Sequence, residues 1–391
     1  MSNLRSIELF AGAGGLALGT ARAGFSPIKI VEFNKHCSAT LELNQKRKNG
    51  PSHIWPTSVD RDVREQDYTS LEGKIDLVSG GPPCQPFSMG GRHNAQADKR
   101  DMFPEAVRAV RETRPKAFLF ENVKGLTRES FATYFEYIRL QLTHPHLLSK
   151  SGEDWADHLD RLQRHHTSHA DSVDDYRVVT RVMNAADYGV PQQRHRVFFV
   201  GIRADLGTEY SFPRATHSRE ALIESLINGT YIAKMGLSPN HLSLPPQVRR
   251  AVERKNGKDK FEQTMLPWKT AREAISDMPD PKVNGVEGWF NHLRRSGAKA
   301  YPGHTGSDLD YPSKALKAGV HGVPGGENMM RHANGKVRYF TVRESARLQT
   351  FPDDYEITGS WTEAMRQLGN AVPVELAEAV ARNLSETLQA A

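Results

Sequence analysis

Cys84 stands in the run Gly80-Gly81-Pro82-Pro83-Cys84-Gln85-Pro86-Phe87-Ser88, whose two glycines and three prolines forbid helix or continued strand. The thiol therefore sits on a stiff, exposed loop, which suits a nucleophile better than a cysteine filling a core. A carboxyl group, Glu121, closes the apolar run Ala117-Phe118-Leu119-Phe120. Two arginines, Arg194 and Arg196, alternate at the head of Val197-Phe198-Phe199-Val200, so both point to one side of a strand. Like charges in that position need a partner or await one; the plainer alternative is a pair of surface ion-paired arginines. A thiol, an acid and a guanidinium are the groups that nucleophilic and acid–base catalysis require.

Ile75-Asp76-Leu77-Val78 precedes the Cys84 loop and reads as a buried parallel strand, as does 117–120 ahead of Glu121. In an open α/β sheet, reactive groups collect beyond the carboxyl ends of the strands, which places thiol and acid in one crevice. Ser6-Ile7-Glu8-Leu9-Phe10 reads as the first strand, Ala11-Gly12-Ala13-Gly14-Gly15 as a tight turn, and Leu16 to Ala23 as a helix. Such a turn lets backbone and helix N-terminus approach a ligand closely. Ile28-Lys29-Ile30-Val31 is a second strand, and Glu32 closes it where a ribose-binding acid belongs. The turn does not match G-x-G-x-x-G, which separates it from the dinucleotide fingerprint.

Met89-Gly90-Gly91-Arg92-His93-Asn94 is glycine-hinged and polar, fit to close over a substrate or simply to lie in solvent. Met102 to Glu112 reads as an amphipathic helix. Residues 143–175 are polar and carry His144, His146, His158, His165, His166 and His169. Their spacing matches no zinc template and no cysteine joins them, so a solvated insertion without metal is expected. Residues 203–340 are irregular, with a helix start after Trp268 at Thr270 and loops from Lys314 to Asn328. Thr341, with Glu344 three residues on, forms a capping box, and a closing helix runs from Glu375 to Leu388.

The 391 residues carry a formal net charge of +6 and suffice for a large core and two domains. The basic excess lies in 203–340, with 21 Lys and Arg against 14 Asp and Glu, which fits a polyanionic partner or an ordinary solvated face. No apolar run approaches the roughly 18 residues of a membrane span. Met1-Ser2-Asn3-Leu4-Arg5 runs straight into a strand and leaves no room for a signal peptide. Two cysteines, Cys37 and Cys84, argue against a disulfide framework and fit a reducing cytoplasm.

GGPPCQPFS followed by ENV resembles the catalytic loop and acidic motif of the cytosine-5 DNA methyltransferases. The turn at 10–15, Arg61-Asp62-Val63, the Q-x-R-x-R run at 192–196, and the runs 340–353 and 367–374 resemble further motifs of that family, in its order. The resemblance covers 4–142, 176–202 and 340–380. It implies an α/β fold with a Rossmann-like S-adenosylmethionine-dependent methyltransferase domain, 1–202 and 367–391. A smaller, mostly irregular and β target-recognition domain, 203–366, would accompany it.

The same resemblance implies that Cys84, as thiolate, adds to C6 of a cytosine flipped out of double-stranded DNA. Glu121 would serve N3, and Arg196 would contact O2 with Arg194 in support. The methyl donor would lie on Phe10, Ala11, Gly12, Gly14, Gly15 and Leu16, with Phe10 facing adenine and Glu32 the ribose. Asp62 would meet the adenine amino group, with Val63 also lining the cofactor pocket, although from local sequence Asp62 could equally be a capping acid. Pro82, Asn370 and Ala371 would complete that pocket, and Gln85, Ser88, Arg92 and Gln192 would touch DNA. The expected enzyme is a cytoplasmic, nucleoid-associated monomer of restriction–modification type, partnered functionally by an endonuclease. A tRNA-modifying branch of the family carries a Cys-Phe-Thr signature in its recognition region, and 203–340 holds no cysteine. A silent DNA-binding relative would lack the thiol, the acid or the arginine, and a dehydrogenase has only the glycine turn in its favour.

Overall fold

Six strands form one mixed sheet in a computed structural model that describes residues 4–47, 55–56, 62–83, 101–168, 172–254, 265–318 and 328–391. In chain order the strands are β1 (Leu4–Leu9), β2 (Phe25–Val31), β3 (Leu77–Gly80), β4 (Ala117–Val123), β5 (Tyr176–Asn184), the two-residue β6 (Gln192–Gln193) outside this sheet, and β7 (His195–Arg203). The sheet order is β2-β1-β3-β4-β7-β5. The first four strands are parallel; β7 runs antiparallel to both β4 and β5.

Alternation along the strands explains why both faces are covered. On β4, Leu119 joins one core, with Leu77, Phe198 and Val200, while Phe118 and Phe120 join the other, with Val78, Val197 and Phe199. The first face is covered by α1 (Gly15–Arg22) and by α12 (Val374–Ala390), through Leu376, Val380 and Leu384. The second is covered by α3 (Phe103–Thr113) and α4 (Ala132–Thr143), whose Phe103, Ala106, Val110 and Ile138 recur at helical spacing. Each fully buried Phe or Leu contributes roughly 1.5–3 kcal/mol, so strands apolar on both sides belong in this layer.

Between α2 (Lys35–Gln45) and the last helix, the chain also builds α5 (Trp155–Thr167), α6 (Arg219–Ile227), α7 (Thr230–Met235), α8 (Pro246–Arg254), α9 (Ala271–Ile275), α10 (Val342–Leu348) and α11 (Trp361–Asn370). Strands within 203–366 are only two or three residues long, so the segment is more helical than its broken sequence pattern suggests. Buried polar networks hold it. The fully buried Asp310 accepts from Tyr231 Oη at 2.7 Å, Ser243 N at 2.7 Å and Arg272 Nε at 2.6 Å. Arg343, equally buried, donates to the carbonyls of Phe290, Pro352 and Tyr355. The capping boxes at Thr270/Glu273 and Thr341/Glu344 are both formed, as expected.

Residues 143–175 depart from the expected solvated insertion. Asp154 caps α5 by accepting from Ala156 N and Asp157 N. Leu159 and Leu162 then pack on Leu140 of α4. His158 is buried, bonded to Tyr137 Oη and to the Leu147 carbonyl, each at 2.9 Å. Two leucines on one face were enough to dock a segment whose composition is otherwise polar. No helix among the described residues is long and apolar enough to cross a membrane.

Candidate active site

The turn after β1 is shaped by backbone conformations that few residues tolerate. Phe10 adopts φ +52° and Gly14 φ +85°, the left-handed region in which only glycine is unstrained. A Cβ on Gly15 would meet the Val372 carbonyl oxygen at 2.2 Å, so the C-terminal segment can lie against this turn only if residue 15 is glycine. Glu32, at the end of β2, accepts from Gly12 N at 2.7 Å and from Asn34 N at 2.6 Å. One carboxylate thus ties the glycine turn to the start of α2, and burial pushes its pKa up against these hydrogen bonds. Phe33, immediately after, is 72% exposed, an aromatic face left open in a cleft.

β3 delivers Gly80-Gly81-Pro82-Pro83 beside the end of β4. Asn122 Nδ2 donates to the Pro82 carbonyl at 2.9 Å, and Met102 N to the Pro83 carbonyl at 3.0 Å, so the chain ends flanking 84–100 are tied together here. Cys84, Gln85, Ser88 and Arg92 lie outside the described residues. Glu121 is 7% exposed and its Oε1 stands 2.6 Å from Arg196 Nε. Pairing of β4 with β7 sets Glu121 opposite Phe198 and Val123 opposite Arg196, which brings the two charges together. Burial is the largest influence on Glu121 and raises its pKa, with Arg196 opposing.

The second arginine does something else. Arg194 is fully buried and its guanidinium donates to the Leu316 carbonyl at 3.0 Å and the Gly369 carbonyl at 2.6 Å. It fastens two distant segments behind the acid. Gln192, expected at DNA, is 0% exposed, accepting from Leu316 N and donating to the Leu348 carbonyl, each at 3.3 Å. That expectation is corrected: the amide has no free end to offer. Asp62 is also held by its own neighbours. Its carboxylate caps the turn at Val63 and grips Arg64 at 2.6 Å, and Asp62 is absent from the cleft lining, while Val63 is core.

A cleft of about 590 Å³ joins the two halves of the site. Phe10, Ala11, Gly12, Gly15, Leu16 and Glu32 line it on one side, Pro82, Glu121 and Arg196 on another, and Asn370 and Ala371 close it. Gly14 stands behind the wall, against Tyr355 and Leu41. The lining also includes Phe33, Asn34, Cys37, Asn122 and Gln367, which were not singled out beforehand. An exposed aromatic directly after the acid that ends a strand was the available signal for Phe33. The volume lies within the range of small-molecule sites, about 300–1,000 Å³. Apolar walls with two buried acids, Glu32 and Glu121, suit a nucleoside carrying a cationic tail. Of the two cysteines, Cys37 is unsuited to be a nucleophile, since burial pushes its thiol up to about 12.

The chain belongs to the C-5 cytosine-specific DNA methylase family, whose sequence profile matches residues 4–144 and 159–386. It is 30% identical over 388 residues to the Type II methyltransferase M.PspPI of Psychrobacter sp. (strain TA137), covering 98% of this chain and 80% of that protein. It is 29% identical over 389 residues to the Type II methyltransferase M.NgoMIV of Neisseria gonorrhoeae, covering 98% of each. Among solved structures, the S. pombe Dnmt2 methyltransferase matches with a TM-score of 0.56 at 16% identity, covering 99% of each chain, a likeness of fold. The chain's activity is that of a DNA (cytosine-5-)-methyltransferase. The family profile skips 145–158, the start of the docked insertion.

Proposed function

We propose that this enzyme methylates cytosine within a fixed short sequence of double-stranded DNA, after flipping the base into the crevice between the Pro82–Pro83 segment and Glu121. One observation carries the reading. The buried Glu121–Arg196 pair opens on the same cleft as the glycine turn, and Pro83, one residue before Cys84, lines it. S-adenosylmethionine bound along Phe10, Gly12, Leu16, Glu32, Phe33 and Asn370 would supply the methyl group for C5.

The chain's own residues do the rest. Cys84, as thiolate, forms a bond to C6 of cytosine, and the electron pair of the C5–C6 double bond moves to make C5 nucleophilic. Negative charge builds on O2 and N3. Glu121, whose burial favours the protonated form, gives its proton to N3 or shares it, and Arg196 steadies O2. Once C5 carries the methyl group, its proton leaves to a base, the double bond re-forms and the thiolate departs. The reacting atoms are unreachable inside a duplex, so the base leaves the stack at a cost of a few kcal/mol. Gln85, Ser88 and Arg92 would contact the DNA.

Residues 1–202 and 367–391 serve as the catalytic unit and 203–366 as the unit that reads sequence, where the basic excess lies. The protein works as a cytoplasmic, nucleoid-associated monomer that shields DNA from a cognate endonuclease. Transfer of radiolabelled methyl groups from S-adenosylmethionine, offered duplex DNA and tRNA in parallel, tests the substrate. Label in duplex DNA alone is expected; label in tRNA alone would contradict the reading.

A further inference from the structure

The expectation that the histidines hold no metal rested on their linear spacing, and folding brings them together in a way spacing does not show. α4 ends at His144, α5 ends beside His165 and His166, and Asp175 immediately precedes β5. His144 and Asp175 are buried. His144 Nδ1 lies 2.7 Å from Asp175 Oδ1, and its Nε2 lies 3.0 Å from His166 Nδ1. His146 Nδ1 stands 3.4 Å from the same carboxylate oxygen. One ligand atom each from His144, His165 and Asp175 lies within 4.8 Å of the others.

Two features point to a ligand rather than to ordinary histidine packing. His165 Nε2 is buried without a hydrogen-bond partner, and His146 Nδ1 has only the Asp175 carboxylate oxygen at 3.4 Å, a costly arrangement unless a ligand engages them. The cluster also borders a cavity of about 510 Å³ lined by His144, His165, His166 and Asp175, so an ion has room to enter.

We infer that His144, His165 and Asp175 form a structural site for a divalent transition-metal ion of the zinc class. Imidazole and carboxylate donors favour zinc, cobalt or nickel over magnesium or calcium. Ligand atoms on one tetrahedral zinc stand roughly 3.3 Å apart, so closure from 4.8 Å asks for about 1.5 Å of movement, within reach of the half-buried His165 ring. His166 or His146 stands near enough to supply a fourth donor. The ion would pin both ends of the insertion, since His144 lies at its start and Asp175 at its end. The site is remote from the chemistry. Tyr176 pairs with Arg203 and Ala117 with Ile202 at one end of the sheet, whereas Glu121 and Arg196 lie at the other.

Tag-free full-length protein, stripped with a chelator, is titrated with zinc and with cobalt(II). The expected result is one ion per chain, the strong visible absorption of tetrahedral-type cobalt, and a Tm raised by roughly 3 °C in excess zinc. His144→Asn and Asp175→Asn should weaken binding at least about 100-fold, whereas His241→Asn, on an exposed histidine, should not change it. Where the buried variants fail to fold, His165→Asn carries the test alone, with the same loss expected. Failure of the wild type to bind one ion, or unchanged binding in His165→Asn, overturns the site.

Discussion

The two ends of the central sheet are assembled by different means. At the carboxyl end of the parallel strands, the groups lining the cleft sit on short runs recognisable in the sequence: a glycine turn, the Pro82–Pro83 segment, an acid closing an apolar strand. At the opposite end, His144, His165 and Asp175 come from a helix end, another helix end and a strand start, and no local run announces them. A motif is legible when one segment performs one task. A cluster drawn from three segments becomes visible only after the chain has folded.

The largest effect expected at the first end is for Cys84→Ala. Methyl transfer should fall below about a thousandth of wild type, while calorimetry finds S-adenosylmethionine binding within about twofold. Glu121→Gln should lower the single-turnover rate by roughly 10²–10⁴. The pH dependence sharpens that assignment. The proposed mechanism needs Glu121 protonated, and its pKa is raised above the ordinary 4.5, so on that reading wild-type rate is lost as pH rises through the raised value. The same mechanism needs Cys84 ionised, which gives the opposite limb. The limb at higher pH should vanish in Glu121→Gln and persist if the acid plays no part.

The two arginines offer a comparison within a single run of the sequence. Arg196→Met should cut the rate about 10²–10³-fold and leave Tm within a few degrees, because it removes charge beside the reacting base. Arg194→Met should do the reverse. It leaves the carbonyls of Leu316 and Gly369 without donors, a loss of about 1–3 kcal/mol in chemical denaturation, with activity per folded molecule within tenfold of wild type. Equal effects from the two would erase the distinction drawn here. The smallest effect is for Gln192→Ala, expected to lose about 1–2 kcal/mol of stability with unchanged DNA affinity in a binding titration.

What the sequence revealed, and what it concealed, follows contact range. Gly14, Gly15, Glu32, Glu121 and the strands that carry them were readable because each sits on a recognisable local run, although what holds residue 15 to glycine is the distant Val372 carbonyl. The burial of Gln192 was not, because its partners Leu316 and Leu348 lie 124 and 156 residues further on. Asp62 fell between these cases. Both a cofactor role and a capping role were open, and a partner two residues away, Arg64, takes up its carboxylate. α5 was hidden by composition, since only Leu159 and Leu162 mark its buried face among polar neighbours. Phe33 was missed because an isolated aromatic gains meaning only from the cleft it faces.

The most direct test of the central claim is bisulfite sequencing of plasmid DNA from a host expressing the chain, with Cys84→Ala beside it. Complete 5-methylcytosine at one short recurring motif with wild type, and none with the variant, is the predicted result. Unmethylated plasmid from a host that accumulates folded wild-type protein, or methylation that survives Cys84→Ala, would contradict it.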